Sequence, residues 1–438
     1  MRDLAMLSIM LGVVPFALRH TWIAVLLWTW ISIMNPHKMA FGFAYNAPFA
    51  AVAAGAALIS ILFSRDRLKW DFSPPVVLLI LFVFWMCVTT AFAFSPSESW
   101  IDLNRALKIQ LMTVVAIAAL RERKHIELFI WINALSIGFY GFKGGLFTIA
   151  TGGSSRVWGP PGGFIEGNNE IALAIVIAIP LMNYLRMVST NYWLRLGLLA
   201  LMVLSAVAAI GTQSRGALLG LSAMGLVLWI RSDKKIATGF VVVLVGALLV
   251  TYMPETWQER MSTIQNFQED GSALGRINAW WMTFRVANDN FFGGGFAIYT
   301  PQLFAKYAPN PEDLHVAHSI YFSVLGEHGY VGLVLFLLLW GATFRTVGKI
   351  RKEARKQIDT EWAHHLAGMC QVSLVGYAVG GAFLSLAYFD LPYNILVILV
   401  VTARWLQEKR WETEPRGAFG SAAPKGQFRA KAIRTFQQ

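Results

Sequence analysis

Charge is scarce in this chain. Asp, Glu, Lys and Arg make up 14% of its 438 residues, against roughly 25% in an ordinary soluble domain. Cysteine is nearly missing: Cys87 and Cys370 both lie in apolar stretches and form no CxxC or metal pattern, which excludes a disulfide framework and a cysteine-based zinc site. Hydrophilic stretches are few, and 56% of the residues are hydrophobic, with a mean hydropathy of +0.52. A soluble protein of this length has no interior large enough for that much apolar surface. A cytosolic globular enzyme, a secreted disulfide scaffold and a disordered chain are therefore excluded, and an all-α polytopic membrane protein is expected. Acidic residues are also in the minority, leaving a net charge of +12. In a membrane protein such an excess reflects basic residues retained in cytoplasmic loops, so no nucleic-acid partner is expected. The first apolar run lacks a clear small-residue cleavage site and reads as part of the mature protein.

Beyond residues 3–34, apolar runs predict spans at 47–63, 74–93, 104–120, 126–149, 169–187, 193–210, 215–230, 236–253, 318–344, 366–387 and 392–406. Their length and continuity indicate helices, not ten-residue barrel strands. Alternate loops and the tail carry 25 of the 37 Lys and Arg, and the intervening loops carry eight. This alternation predicts a cytoplasmic tail and places the 254–317 loop outside. Residues 3–34 are interrupted by Pro15 and Arg19-His20. One net crossing there gives about twelve transmembrane helices with both termini inside; two short crossings give thirteen and an external N-terminus. Twelve is the expectation taken. The organisation expected is a membrane domain over 1–410, including the large outer loop, followed by a basic, disordered cytoplasmic tail at 411–438. Within the outer loop, Ser272–Asn290 reads as an amphipathic interfacial helix bearing Trp280, Trp281 and Phe284, broken by Gly293-Gly294-Gly295.

Polar groups at membrane boundaries are costly without a role, and the sharpest ones fall on the outer side. Arg215, in the short turn Gly211-Thr-Gln-Ser-Arg-Gly216, opens a helix. It reads equally as an anion grip or as an arginine snorkelling to lipid headgroups. Gly275-Arg276, with Arg285 further along, reads as a second anion clamp or as a solvated face. His315 and His318 stand three apart, with His318 opening a strongly apolar helix. The pair lacks a clear third metal ligand beyond Glu312 or Asp313, whereas His318 alone suits a proton acceptor. Tyr321 lies one turn below it, positioned to hydrogen-bond substrate. Glu327 and His328 follow further down the same helix. In the Gly- and Pro-rich loop from Ser154 to Glu170, Arg156, Trp158 and the Asn168-Asn169-Glu170 cluster suit sugar hydroxyls; alternatively Asn168 or Asn169 caps the next helix. Asp390 is a weaker outer candidate. His364 and His365 are cytoplasmic and read as structural.

Together these residues resemble the O-antigen ligase/polymerase superfamily, closest to the O-antigen ligases and the exosortase-associated O-glycosylation ligases. The resemblance covers roughly 40–400. It rests on Ser214-Arg215-Gly216, Gly275-Arg276 in a large outer loop, and His318-Ser-Ile-Tyr321 with Leu325-Gly-Glu-His-Gly-Tyr-Val-Gly332. It implies a GT-C-type glycosyltransferase of the bacterial inner membrane, with its active site facing the periplasm. The donor implied is a glycan on undecaprenyl pyrophosphate, and the acceptor a hydroxyl of lipid A-core or of a protein. The resemblance also implies that Arg215 and Arg276 bind pyrophosphate, that His318 is the essential histidine, and that no metal or other cofactor takes part. His315 keeps the histidine assignment from being unique. A polymerase or protein glycosyltransferase of the same superfamily is the first alternative. A lipid-linked-sugar transporter is the second, disfavoured because charges cluster at the rim and not mid-span.

Overall fold

The computed structural model describes residues 1–64, 66–231 and 271–414, with isolated positions 235, 236, 239 and 246. The span expected at 236–253, the start of the long loop and the tail beyond 414 fall outside these stretches. The described residues hold helices and no strand. The helices are α1 (Arg2–Arg19), α2 (Thr21–Met34), α3 (Phe49–Phe63), α4 (Pro74–Ala91), α5 (Pro96–Ala119), α6 (Arg123–Ala150), α7 (Asn168–Val188), α8 (Tyr192–Gly211) and α9 (Arg215–Arg231). They continue with α10 (Gly271–Asp289), α11 (Pro301–Tyr307), α12 (Ile320–Ala354), α13 (Glu361–Gly381) and α14 (Asp390–Gln407). Among the described residues, α4, α6, α7, α8 and α12 are long and apolar enough to cross a membrane, and α2 and α3 are shorter apolar helices.

Two helices form the centre. Almost every side chain of α14 and about two thirds of those of α7 are buried, the pattern of a helix that is apolar nearly all round because other helices surround it. α7 packs against α6, α8, α9 and α13, and α14 against α5, α6, α12 and α13. Peripheral helices instead expose large apolar side chains, among them Phe84, Val203 and Leu338. Water would penalise such a surface and hydrocarbon would not.

The N-terminal apolar run is not one continuous helix. Residues 2–34 form two helices, because His20 between them is extended (φ −133°, ψ 111°). Asp66 secures the break: its carboxylate accepts from the Thr21 N–H at 2.8 Å and contacts His20 Nδ1 at 3.1 Å. At the opposite end, Arg2 Nη1 donates to Met39 O and Asp3 accepts from the Gly42 and Ala44 N–H groups. α1, α2 and α3 therefore run up, down and up along one another, and residue 2 lies at the same end of the bundle as residues 39–44.

The far end carries the basic segments. Arg404 ties them together by donating to the carbonyls of Lys69, Ile117 and Leu120, while Lys69 pairs with Glu408. The structured part also runs past the 410/411 boundary expected for the tail. Glu414 accepts from the Arg123 N–H and from Trp405 Nε1, and Trp411 packs on Trp405.

α12 is longer than the apolar run suggested and is not continuous. Gly329 has φ 66° and ψ −172°, so the helix breaks there. The break frees the carbonyls of Gly326 and Glu327, which the N–H groups of Gly294 and Gly295 then satisfy, each at 2.9 Å. A side chain at Gly293 would run into Gly329 N and Glu327 O. The three glycines thus let the 290–295 strap lie directly on a broken helix. His328, fully buried, contacts Thr89 Oγ1 through Nδ1 at 2.7 Å, and Glu327 accepts from Tyr388 O–H at 2.6 Å. The Gly-Glu-His-Gly run is therefore a joint between α12, α4, the strap and the 382–389 loop.

Candidate active site

The turn between α8 and α9 is built by its own polar residues. Thr212 Oγ1 accepts from the Ser214 N–H, and Ser214 Oγ accepts from the Ala217 N–H, capping α9. Gln213 adopts a left-handed φ of 58°. Asn168 Nδ2 donates to Thr212 O at 2.9 Å, clamping the turn to the first residue of α7. Gly167 is the N-cap of α7 and no side chain caps that helix, so Asn168 fastens a neighbouring turn instead. Asn169 beside it is half-buried. Gly216 packs closely on Phe383 and Leu384. Arg215 thus emerges at the start of α9 against the loop that joins α13 to α14.

That loop is buried and irregular, which a membrane protein tolerates where protein groups satisfy the backbone. Tyr377 and Tyr393 donate to Leu386 O and Ala387 O. Its Ser385 Oγ lies 3.4 Å from His318 Nδ1, and Gly381 lies against Ile320. The loop therefore touches the Arg215-Gly216 turn on one side and the His318 segment on the other.

His318 has a φ of 44°, a strained value for a residue with a side chain. Two neighbours hold it there. Ala317 O accepts from Trp280 Nε1 at 2.7 Å, and Ser319 caps α12. Trp280 itself stacks on Phe322 with centroids 4.8 Å apart, docking α10 onto the top of α12. On the same helix, Gly275 presses against the His315 ring: a Cβ there would lie 2.4 Å from Nδ1. His315 Nδ1 is also 2.7 Å from Asp313 Oδ1, so that ring is tethered while His318 faces the interior of the site.

Arg276 is close enough to act electrostatically on both His318 and Glu170. Glu170 Oε1 stands 3.9 Å from His318 Nδ1, longer than a hydrogen bond, and its carboxylate folds back over Gly167 in the first turn of α7. Burial foremost, then the charges of Arg276 and His315, push the His318 imidazole down to about 4. The ring is neutral at physiological pH and able to accept a proton.

The site thus gathers Glu170 from α7, the Arg215 turn, Arg276 from α10, His315 and His318 before α12, and Ser385. Other residues singled out in the sequence stand further off. Arg156 Nε donates to Gln213 Oε1 at 3.3 Å and so adjoins the Arg215 turn. Arg285, nine residues past Arg276 and on the opposite helix face, donates to Tyr307 O. Tyr321 O–H donates to Ala378 O. Asp390 accepts from Ser32 Oγ at 2.7 Å, at the start of α14. Ser385 has no motif around it and was not singled out; the nearest signal is the Gly380-Gly381 pair that ends α13. Among the described residues no group of three His, Cys, Asp or Glu side chains is arranged to hold a metal.

A helical bundle with cations and a neutral imidazole at its rim defines a multi-pass membrane protein with a polar site at one end of its helices. Comparison with known families gives that class a name. Residues 200–337 match the model described as O-antigen ligase, and residues 1–190 match a family of unknown function, DUF5935. The matched segment carries Arg215, Arg276 and His318, and it supports an assignment to O-antigen ligase-type glycosyltransferases. No curated protein matches it significantly.

Proposed function

We propose that this protein transfers a glycan en bloc from undecaprenyl pyrophosphate to an acceptor hydroxyl at the periplasmic face of the bacterial inner membrane. Lipid A-core sugar is the acceptor favoured. The observation that carries this reading is the meeting of Arg276, His318 and the 383–385 loop, itself packed on the Arg215 turn. A lipid diphosphate keeps its charge at the headgroup plane and its tail in hydrocarbon, and a polar site at the ends of apolar helices suits both.

In the mechanism, the acceptor oxygen attacks the anomeric carbon while the bond from that carbon to the diphosphate oxygen breaks. His318 takes the acceptor proton. The leaving diphosphate keeps the electron pair, and Arg215 and Arg276 stabilise its charge. Direct displacement inverts the anomeric centre. Glu170 and Ser385, near Nδ1, orient the ring so that its other nitrogen meets the acceptor. α10, hinged at the 290–295 strap, shifts to admit acceptor and close the site.

Reconstitution of the purified protein with a defined undecaprenyl-linked donor and two competing acceptors, a lipid A-core and a peptide hydroxyl, tests this reading. Glycan is expected on the lipid A-core. Chain extension of the donor with neither acceptor used would instead favour a polymerase, and no transfer in any arm would overturn the assignment.

A further inference from the structure

A second polar feature lies apart from His318. A cavity of about 850 Å³ opens between α1, α2, α6 and the segments 36–41 and 156–161, within the size range of small-molecule sites. Its walls include four cations, Arg2, Lys38, Lys143 and Arg156, and no acidic residue. The acidic residues nearest in sequence are engaged elsewhere: Asp3 with the Gly42 and Ala44 N–H groups, and Glu166 with the Gly162 N–H. The rest of the wall is largely apolar and aromatic. Trp158 is 60% exposed and Phe147 42% exposed, although both are large enough to gain from burial.

Four cations with no carboxylate in the wall of one apolar cavity suit a ligand that is both anionic and greasy. A neutral sugar would leave the charges unmatched, and a free soluble anion would leave the aromatic wall wet. We propose that this cavity binds a phosphate-bearing lipid, with its headgroup among Arg2, Lys38, Lys143 and Arg156 and its chain along the aromatic wall. Because Arg156 also donates to Gln213, the occupied cavity abuts the turn that presents Arg215. The inference does not depend on the transferase reading. Its chemistry is shared by a bulk anionic phospholipid and by a polyprenyl monophosphate.

Native mass spectrometry of the purified full chain in neutral detergent separates the sources. The probes are phosphatidylglycerol, a polyprenyl monophosphate and, as a neutral control, diacylglycerol. The wild type is expected to retain at least one phosphate lipid and to release diacylglycerol. The double variant Lys38→Gln/Lys143→Gln is expected to bind that lipid about tenfold or more weakly, at roughly a factor of several per surface cation. Arg276→Ala is expected to retain it, which separates this cavity from the transfer site. The arm in which the double variant loses binding identifies the lipid. Equal retention by wild type and double variant in both phosphate arms overturns the proposal, as does equal retention of diacylglycerol by the wild type. Thermal melting of the lipid-free proteins guards against misfolding, and the single variant Lys143→Gln, on an exposed side chain, gives the same comparison if the double variant melts early.

Discussion

At the scale of single residues, the three groups to which the proposed mechanism gives most of the chemistry stand out in the sequence: Arg215 opens α9, His318 precedes α12, and Arg276 lies early in α10. Ser385 does not, and Glu170 stands out only within the Asn168-Asn169-Glu170 cluster read for sugar hydroxyls. Glu170 reaches His318 from 148 positions away in sequence, and Ser385 does so from a loop hidden inside an apolar stretch; periodicity carries no signal for either. The neutral His318 has a consequence for pH. Its pKa is lowered to about 4, so the ring can act as a base through the neutral range and loses that ability as pH falls through about 4. A bound diphosphate would offset the charge of Arg276 and raise this value. The acid limb of kcat/KM, which reports free enzyme, is therefore expected near pH 4, and that of kcat at higher pH; coincident limbs would argue against a diphosphate beside the ring. His318→Ala is expected to lower kcat by about 10²–10⁴ while leaving donor affinity nearly unchanged, measured by equilibrium binding beside turnover. Gly275→Ala pushes the His315 ring out of its seat and, by displacing Arg276, is expected to weaken donor binding without unfolding the protein. Unchanged donor affinity in that variant would separate the Gly-Arg pair from the diphosphate.

At the scale of elements, the apolar runs gave most helices within a few residues, since lipid demands continuous apolar length. Breaks inside helices were harder. α12 reads as one apolar run, yet Gly329 divides it, and the reason lies in the distant Gly293–Gly295 strap that caps the freed carbonyls. The motif most specific to the resemblance is in this half a packing joint, with the proposed proton acceptor ahead of it at His318. Gly329→Ala forces a side chain into positive φ with Phe291 O only 2.4 Å from the new Cβ. A cost of about 1–3 kcal/mol is expected, read as earlier thermal unfolding in detergent, with turnover falling as the strap detaches. A variant that melts with the wild type would mean the strap does not depend on the break.

At the scale of the whole molecule, composition alone excluded soluble architectures, and the alternation of basic loops anticipated which segments gather at one end. The division of the N-terminal run was harder to read, because α1 with its internal Pro15 and the 14-residue α2 are marginal as separate spans by composition. With two helices there, residue 2 shares the end that holds His318. If that end is periplasmic, a cysteine introduced at Arg2 is expected to react with a membrane-impermeant maleimide in intact spheroplasts, and one at Glu408 only after lysis. Labelling of Glu408→Cys in intact cells would reverse the sidedness and move the site to the cytoplasm.

The central claim is that one lipid diphosphate touches both arginines beside the imidazole. The most direct measurement is a structure of the full protein with undecaprenyl diphosphate bound. The account predicts diphosphate oxygens within hydrogen-bonding reach of both Arg215 and Arg276, and His318 facing the position of the departing sugar. A diphosphate that engages neither arginine, or that leaves His318 on the far side of the loop at 383–385, would contradict it.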